Sequence, residues 1–517
     1  MNLSKYARTV FCLATSSLLL VGLFLLLNGT SQVARADPGY LFVSSSGSGN
    51  ACTQAYPCAL QTALIQATDG ETICVAGGTY TSSGSAVITV TRSITLYGGW
   101  DGASSGPVVR DPEAHPTTLD GENARRVVSI SGDITPTLDG FTIARGNATG
   151  LTANCGVSGG NPDGCGGGVF VYQAHPLIAN NVITNNVAAI TTAGYPTGTT
   201  GYGGGIYLYL ANNAVISGNT IVSNTGSLAN YGEGGGICID GSNSVLVRAN
   251  RVLSNVATAG STWAWGGGIA IFSGSGSVED NEIADNWAMS TGAGDGGGLY
   301  QWYGSTDFRR NRMTSNHGGT AVYLGHNQAI FEENQVVGNA ADYGVYITYN
   351  PGPVLVNNVV AGSRYSVQAY ATAAYSLTAK LFHNTLVGTG SGRGVTAESG
   401  YVTLALVNNI VVSHTVAISN TYPASSTISA DHTLFWGNDD NGIVGTNPVY
   451  GDPRFLNPAG GNYHLDPGSA AIDAGVAEPT ITTDIDGDPR PIGAGYDIGA
   501  DEFIYRVYLP LVMRSFP

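Results

Sequence analysis

Short runs of alternating apolar and polar residues dominate this chain. Ile206-Tyr-Leu-Tyr, Ala214-Val-Ile and Thr220-Ile-Val are typical. Each is too short for a helix and carries the two-residue period of a strand. The runs recur in step with two markers. One is Asn-x-aliphatic followed by Asn five residues on, in strict copies that begin at Asn180, Asn219, Asn250, Asn281, Asn311 and Asn334. Looser copies begin at Asn357, Asn384, Asn408 and His432. The other is Gly-Gly-Gly-aliphatic, ending in Val169, Ile206, Ile237, Ile269 and Leu299 and degenerating at Val322 and Val345. Marker spacing falls from 39 residues to a basic period of about 23, and the excess in early copies lies between the second Asn and the glycines. Three strands per period, each stacked on its equivalents, predict an all-β fold, a parallel β-solenoid of about thirteen coils. Its asparagines should form one file, since Asn tolerates left-handed backbone and can ladder through its amide.

With the repeat in view, the sequence resembles the right-handed parallel β-helix superfamily, the pectin-lyase-like fold, over roughly residues 40–445. Cys52-Thr-Gln-Ala-Tyr-Pro-Cys58 with Thr72-Ile-Cys-Val-Ala-Gly-Gly-Thr-Tyr80 is similar to N-terminal coils of secreted bacterial β-helix proteins, with a short helix at 59–67 capping the open core. Leu138-Asp-Gly-Phe-Thr-Ile143 is likewise typical of such coils. Asp452-Pro-Arg-Phe455 through Asp497-Ile-Gly-Ala-Asp501 resembles a choice-of-anchor Q module. The implied division is a signal peptide at 1–36, an N-terminal cap at 37–71 and the β-helix at 72–445. The small C-terminal module follows at 446–503, and a tail at 504–517.

The N-terminal assignment has its own basis. Lys5 and Arg8 precede an apolar run from Val10 to Leu27, and Ala34-Arg35-Ala36 suits a signal-peptidase cut. Export to the cell surface or medium is expected, with no membrane span after cleavage. There, disulfides persist, and Cys52 with Cys58 and Cys155 with Cys165 are spaced to close local loops, leaving Cys74 and Cys238 unpaired. A net charge of −16 with only two lysines makes a nucleic-acid partner improbable.

Candidate chemistry must lie outside the solenoid. After the glycines, two outward columns are rich in rings. One holds Phe170, Tyr207, Cys238, Ala270, Tyr300, Tyr323 and Tyr346; the other holds Tyr172, Tyr209, Asp240, Phe272 and Trp302. Aromatic rings on a flat face suit the C–H faces of sugars, so the expected partner is a polysaccharide or cell-envelope glycan. The competing reading is an aromatic ladder covered by the protein's own loops. The inserts at 186–202, 225–233, 256–265 and 287–295 enter beside this strip and carry Trp263 and Trp265. The sugar-binding set is therefore Tyr172, Tyr207, Tyr209, Asp240, Trp263, Trp265, Phe272, Tyr300 and Trp302. Non-catalytic binding or adhesion is the first expectation; a polysaccharide hydrolase or lyase is the second. For the second, the best carboxylate pair is Glu233 with Asp295, two coils apart and so about 9–10 Å. No cofactor is implied. Asp484, Asp486 and Asp488 have the composition of a calcium loop without its standard spacing.

Overall fold

The computed structural model describes residues 39–504, apart from 152–153, 157–162, 191–199, 261–262, 292–293 and 350. These residues build a right-handed parallel β-helix. A typical coil has a first face (Ile206–Tyr209), a second face (Val215–Ser217), a third face (Thr220–Val222) and a joining segment (Thr225–Ser227). Inter-coil strand pairing is parallel and in register, apart from shifts at Cys74–Ala76 and Ser242–Val245. On the first face, Val169, Ile206, Ile237, Ile269, Leu299, Val322, Val345 and Val367 form one inward file. The third face stacks into a 14-stranded sheet. No single coil can bury its aliphatic side chains, so the stack creates the core. That core is one continuous cluster from Leu41 to Phe435.

The solenoid starts earlier than position 72. Tyr40–Val43 already pairs with Thr72–Ala76, and the helix Leu60–Gln66 lies between them with Leu60 and Ala63 buried. This helix covers the edge that the first coil would otherwise expose to pairing. At the other end, residues 455–503 fold back over the third face of late coils. Ala500 N–H donates to Thr385 Oγ1, Asn408 bonds both N–H and C=O of Val476, and Ile498 packs with Ile410 and Leu434.

The asparagine file differs from expectation by one residue. Its members are Asn181, Asn219, Asn250, Asn281, Asn311, Asn334, Asn358, Asn384 and Asn409. Asn180 stands outside it, with φ at 54° and its amide on Asp139. Every coil turns here with one left-handed residue and then one inward residue. In an Asn-Asn pair the first takes the strained backbone and the second takes the ladder. A second file, Asn186, Asn224, Asn255, Asn286, Asn316 and Asn339, follows the third face.

The charged column Arg248, Glu279, Arg309, Glu332 is also in register. Arg310 bonds Asp280 at 2.7 Å, and Arg309 meets Glu332 at 3.3 Å, so alternating signs offset like-charge repulsion along the stack. Cys52–Cys58 and Cys155–Cys165 are disulfides; Cys74 and Cys238 are buried thiols.

Candidate functional site

The long inserts do not hang free beside the aromatic strip. They pair into their own parallel sheet, Gly164–Cys165, Thr200–Tyr202, Tyr231–Glu233 and Ala264–Trp265. Cys165, Tyr202, Glu233, Trp265 and Asp295 align in one column of it. This sheet lies over the first face, where the outward residues Phe170, Tyr207, Cys238 and Ala270 form a second core and Tyr300 is also buried. Tyr207 and Tyr300, at 1% and 5% exposed, are thus corrected from sugar-facing rings to packing residues. The Tyr207 hydroxyl donates to Cys155 O, and Trp265 stands 6.2 Å from Tyr300. The sequence cannot reveal this cover, because the strand pattern of an insert does not say which surface it folds onto. Of the other ring candidates, Tyr172, Tyr209, Phe272 and Trp302 are half-buried along the rim, as is Asp240. Trp263 is 58% exposed and stacks on Trp265 at 6.1 Å.

Carboxylates lie under and beside the cover: Asp163 is buried, and Glu233, Asp240 and Asp295 are half-buried. Glu233 makes no side-chain hydrogen bond among the described residues, and burial, then Asp240, then Asp163 push its pKa up to about 8. Burial raises Asp295 to about 6. Asp240 is also raised by burial, opposed by hydrogen bonds from the Ser273 hydroxyl and Gly241. Asp163 is raised by burial and accepts the Thr200 N–H at 2.7 Å. Glu233 and Asp295 stand two coils apart with Trp265 between them in the register, as the spacing predicts; the charges that act on Glu233 are those of Asp240 and Asp163.

A folded carboxyl near 8 against 4.5 unfolded holds a proton that the unfolded chain releases. Stability contributed by this group is therefore intact below pH 4.5, falls between pH 4.5 and 8, and is flat above. Glu233→Gln is expected to remove that slope and to raise the urea midpoint at pH 8–9. Urea titrations of both proteins across pH 5–9 measure it.

Beyond Asp295 the inserts cease, and the joining segment runs straight into the first face as one strand, His317–Asn327. Here the strip opens. Tyr323 stacks on Tyr300 at 4.8 Å and on Tyr346 at 5.5 Å, and both Tyr323 and Tyr346 are half-exposed. Trp302 lies 6.1 Å from Tyr323 and extends the surface sideways to Tyr303 and Tyr349. Tyr343 flanks it, stacked on Tyr365 at 4.9 Å. A Cβ at Gly325 would sit 2.5 Å from the Trp302 ring, so that glycine is what lets the indole lie across the coil. Of the open rings, Trp302 belongs to the sequence-derived sugar-binding set, while Tyr323 and Tyr346 stand in the outward column read from the sequence but outside that set. The available signal was the drop in marker spacing to 23 at Asn311–Asn334, which marks where the covering inserts end.

In the C-terminal module, Asp484, Asp486 and Asp488 each bring an oxygen within 4.8 Å of the others. Both Asp484 oxygens already accept backbone N–H groups, from Asp486 and Asp488 on one side and Glu502 on the other. The carboxylate acts as the acceptor that shapes this turn.

A model of the right-handed β-helix region family matches residues 126–312 and 235–416. No curated protein matches the chain. Among solved structures, pectate lyase Pel9A is 13% identical over 91% of this chain and 98% of its own, with a TM-score of 0.36. The family PL6 alginate lyase AlyGC is 14% identical over 86% and 60%, with a TM-score of 0.48. The periplasmic alginate epimerase AlgG is 14% identical over 67% and 78%, with a TM-score of 0.31. Such identities concern the fold and carry nothing about chemistry.

Proposed function

This chain belongs to the right-handed β-helix family, and on that scaffold we propose an exported protein that binds polysaccharide along the open aromatic terrace. One observation carries the reading. Where the inserts stop, Trp302, Tyr323, Tyr343 and Tyr346 form a contiguous, half-exposed aromatic face on rigid strands. Stacked coils repeat about every 4.8 Å, which presents rings at intervals along a linear ligand. Each ring offers an apolar body with a polar hydroxyl or N–H at its edge, which suits a ring rimmed by hydroxyls. The net charge of −16 favours a neutral glycan over a polyanion.

Export rests on two supports. The two disulfides fit an oxidising compartment, and no helix among the described residues is long and apolar enough to cross a membrane. The signal segment itself lies outside the described residues.

The test is affinity electrophoresis through gels containing xylan, galactomannan, soluble cellulose or starch. Trp302→Ala with Tyr346→Ala should weaken retention about tenfold to a hundredfold, from about 0.5–1.5 kcal/mol per stacked ring. The melting temperature should stay within a few degrees of wild type. Equal retention by the double variant would reduce the terrace to a packing ladder.

A further inference from the structure

Away from the terrace, three segments of the C-terminal module meet beside the third face. The strand Asn462–Leu465 carries His464. The turn built on Asp484, which accepts the Asp486 and Asp488 N–H groups, carries Asp486. The segment that docks on Thr385 through Ala500 carries Asp501. One ligand atom from each of His464, Asp486 and Asp501 lies within 4.8 Å of the other two. His464 and Asp501 also line a small pocket with Tyr463, Ile485 and, from the solenoid, Gln335 and Val359.

Hydrogen bonds fix which atoms face one another. Asn462 Oδ1 accepts the His464 backbone N–H at 3.1 Å and stands 2.5 Å from Nδ1, so Nδ1 carries the ring hydrogen. In the neutral imidazole Nε2 is then a lone pair. It points at Asp486 Oδ2, 2.6 Å away, and at Asp501 Oδ1, 4.0 Å away. Asp501 is only 8% exposed. Its Oδ2 accepts the Leu465 N–H at 2.7 Å, while its Oδ1 meets no donor within hydrogen-bond reach among the described residues. Three acceptors converging in this way need a positive charge among them. A proton on Nε2 answers Asp486 and leaves Asp501 unanswered; a metal ion reaches all three. Zinc bonds of about 2.0–2.2 Å at tetrahedral angles hold neighbouring donors roughly 3.3–3.6 Å apart. The separations of 2.6 and 4.0 Å bracket that spacing. An imidazole nitrogen in the set selects against the all-oxygen shell of calcium and suits zinc. Asn462 on Nδ1 is the outer partner that orients a ligating histidine.

We propose that His464 Nε2, Asp486 Oδ2 and Asp501 Oδ1 bind one zinc-class divalent cation, with a fourth position left to water. The ion pins together three segments that are separate in the chain. Because Ile485, Tyr463 and Ala500 pack with Val337 and Val359 of the solenoid, it also fixes the module against the third face. The site is independent of the glycan reading above.

The experiment uses the full chain without a histidine tag, stripped with EDTA and moved to chelator-free buffer. Zinc chloride is titrated by calorimetry, and bound metal is counted by mass spectrometry after dialysis. The expected result is one zinc per chain and a melting temperature that rises with zinc concentration. His464→Gln, Asp486→Asn and Asp501→Asn should each abolish stoichiometric binding. Asn462→Ala, which touches no metal, should weaken it about tenfold to a hundredfold. Asp488→Asn, in the neighbouring acidic turn, should leave it unchanged. Circular dichroism of each metal-free variant checks that it folds, and the exposed Asp486 keeps the test alive if His464→Gln does not. No zinc bound by the wild type would overturn the proposal and leave His464–Asp486 an ion pair. Zinc that survives both His464→Gln and Asp486→Asn, or calcium bound as tightly as zinc, would overturn it as well.

Discussion

Asn281→Ala is expected to lower stability by about 3–5 kcal/mol, among the largest losses available to a single residue of this fold. The side chain is 2% exposed. Its Oδ1 accepts the Asn250 N–H at 2.9 Å and the Asn250 Nδ2 at 3.0 Å; its Nδ2 donates to Val247 O and Glu279 O, both at 2.9 Å. Alanine abandons all of these in a place water does not reach, and each buried polar group left unmet costs about 1–3 kcal/mol. The Asn311 amide also loses the Nδ2 that donates to it. Asn180→Gly is the internal control. Asn180 resembles the ladder residues in sequence, yet it sits exposed at a left-handed turn that glycine adopts freely. Its urea midpoint should match wild type, while that of Asn281→Ala should fall sharply. A ladder variant as stable as the control would mean that the amide file contributes little.

Gly235→Ala is expected to be nearly as damaging, for a steric reason. A Cβ there would lie 2.4 Å from Val256 C and 2.5 Å from both Val256 O and Gly267 O. All three are backbone atoms of the next coil, so no rotamer change relieves the clash. Overpacking a site that can adjust costs about 1–3 kcal/mol; here whole coils must separate. The equivalent glycines Gly204 and Gly267 meet the same wall, with backbone atoms at 2.4 Å. Gly338 offers the contrast. Its φ is +63° and its added Cβ would meet nothing within 4 Å, so alanine there should cost only the left-handed strain of about 1 kcal/mol. Thermal melts of Gly235→Ala and Gly338→Ala, run side by side, check the difference. Equal melting temperatures would show that the coils yield more easily than close packing allows.

The coil was legible because its physics is local and repeated. Inward aliphatics every second residue, a left-handed turn and an inward Asn recur at a set spacing, and stacking identical units brings identical residues into contact. The columns Arg248–Glu279–Arg309–Glu332 and Cys165–Tyr202–Glu233–Trp265–Asp295 could be read for that reason. The one-residue error at Asn180 arose because two adjacent asparagines suit the turn and the ladder equally well as residue types. Only the backbone dihedral separates their roles.

The site was legible only as a list of rings and acids. The sequence by itself determined that aromatic residues would line the first face and that inserts would enter beside it, since both follow from alternation and spacing. Tertiary structure alone decided which rings are covered. The inserts satisfy their backbone hydrogen bonds by pairing with one another, and the sheet so formed buries Tyr207 and Tyr300 and leaves Glu233 half-buried. Tyr323 and Tyr346 remain partly exposed, and no insert precedes their coils. Alternation says that a side chain points away from the core; what it meets there depends on segments distant in the chain, whose packing no local pattern encodes.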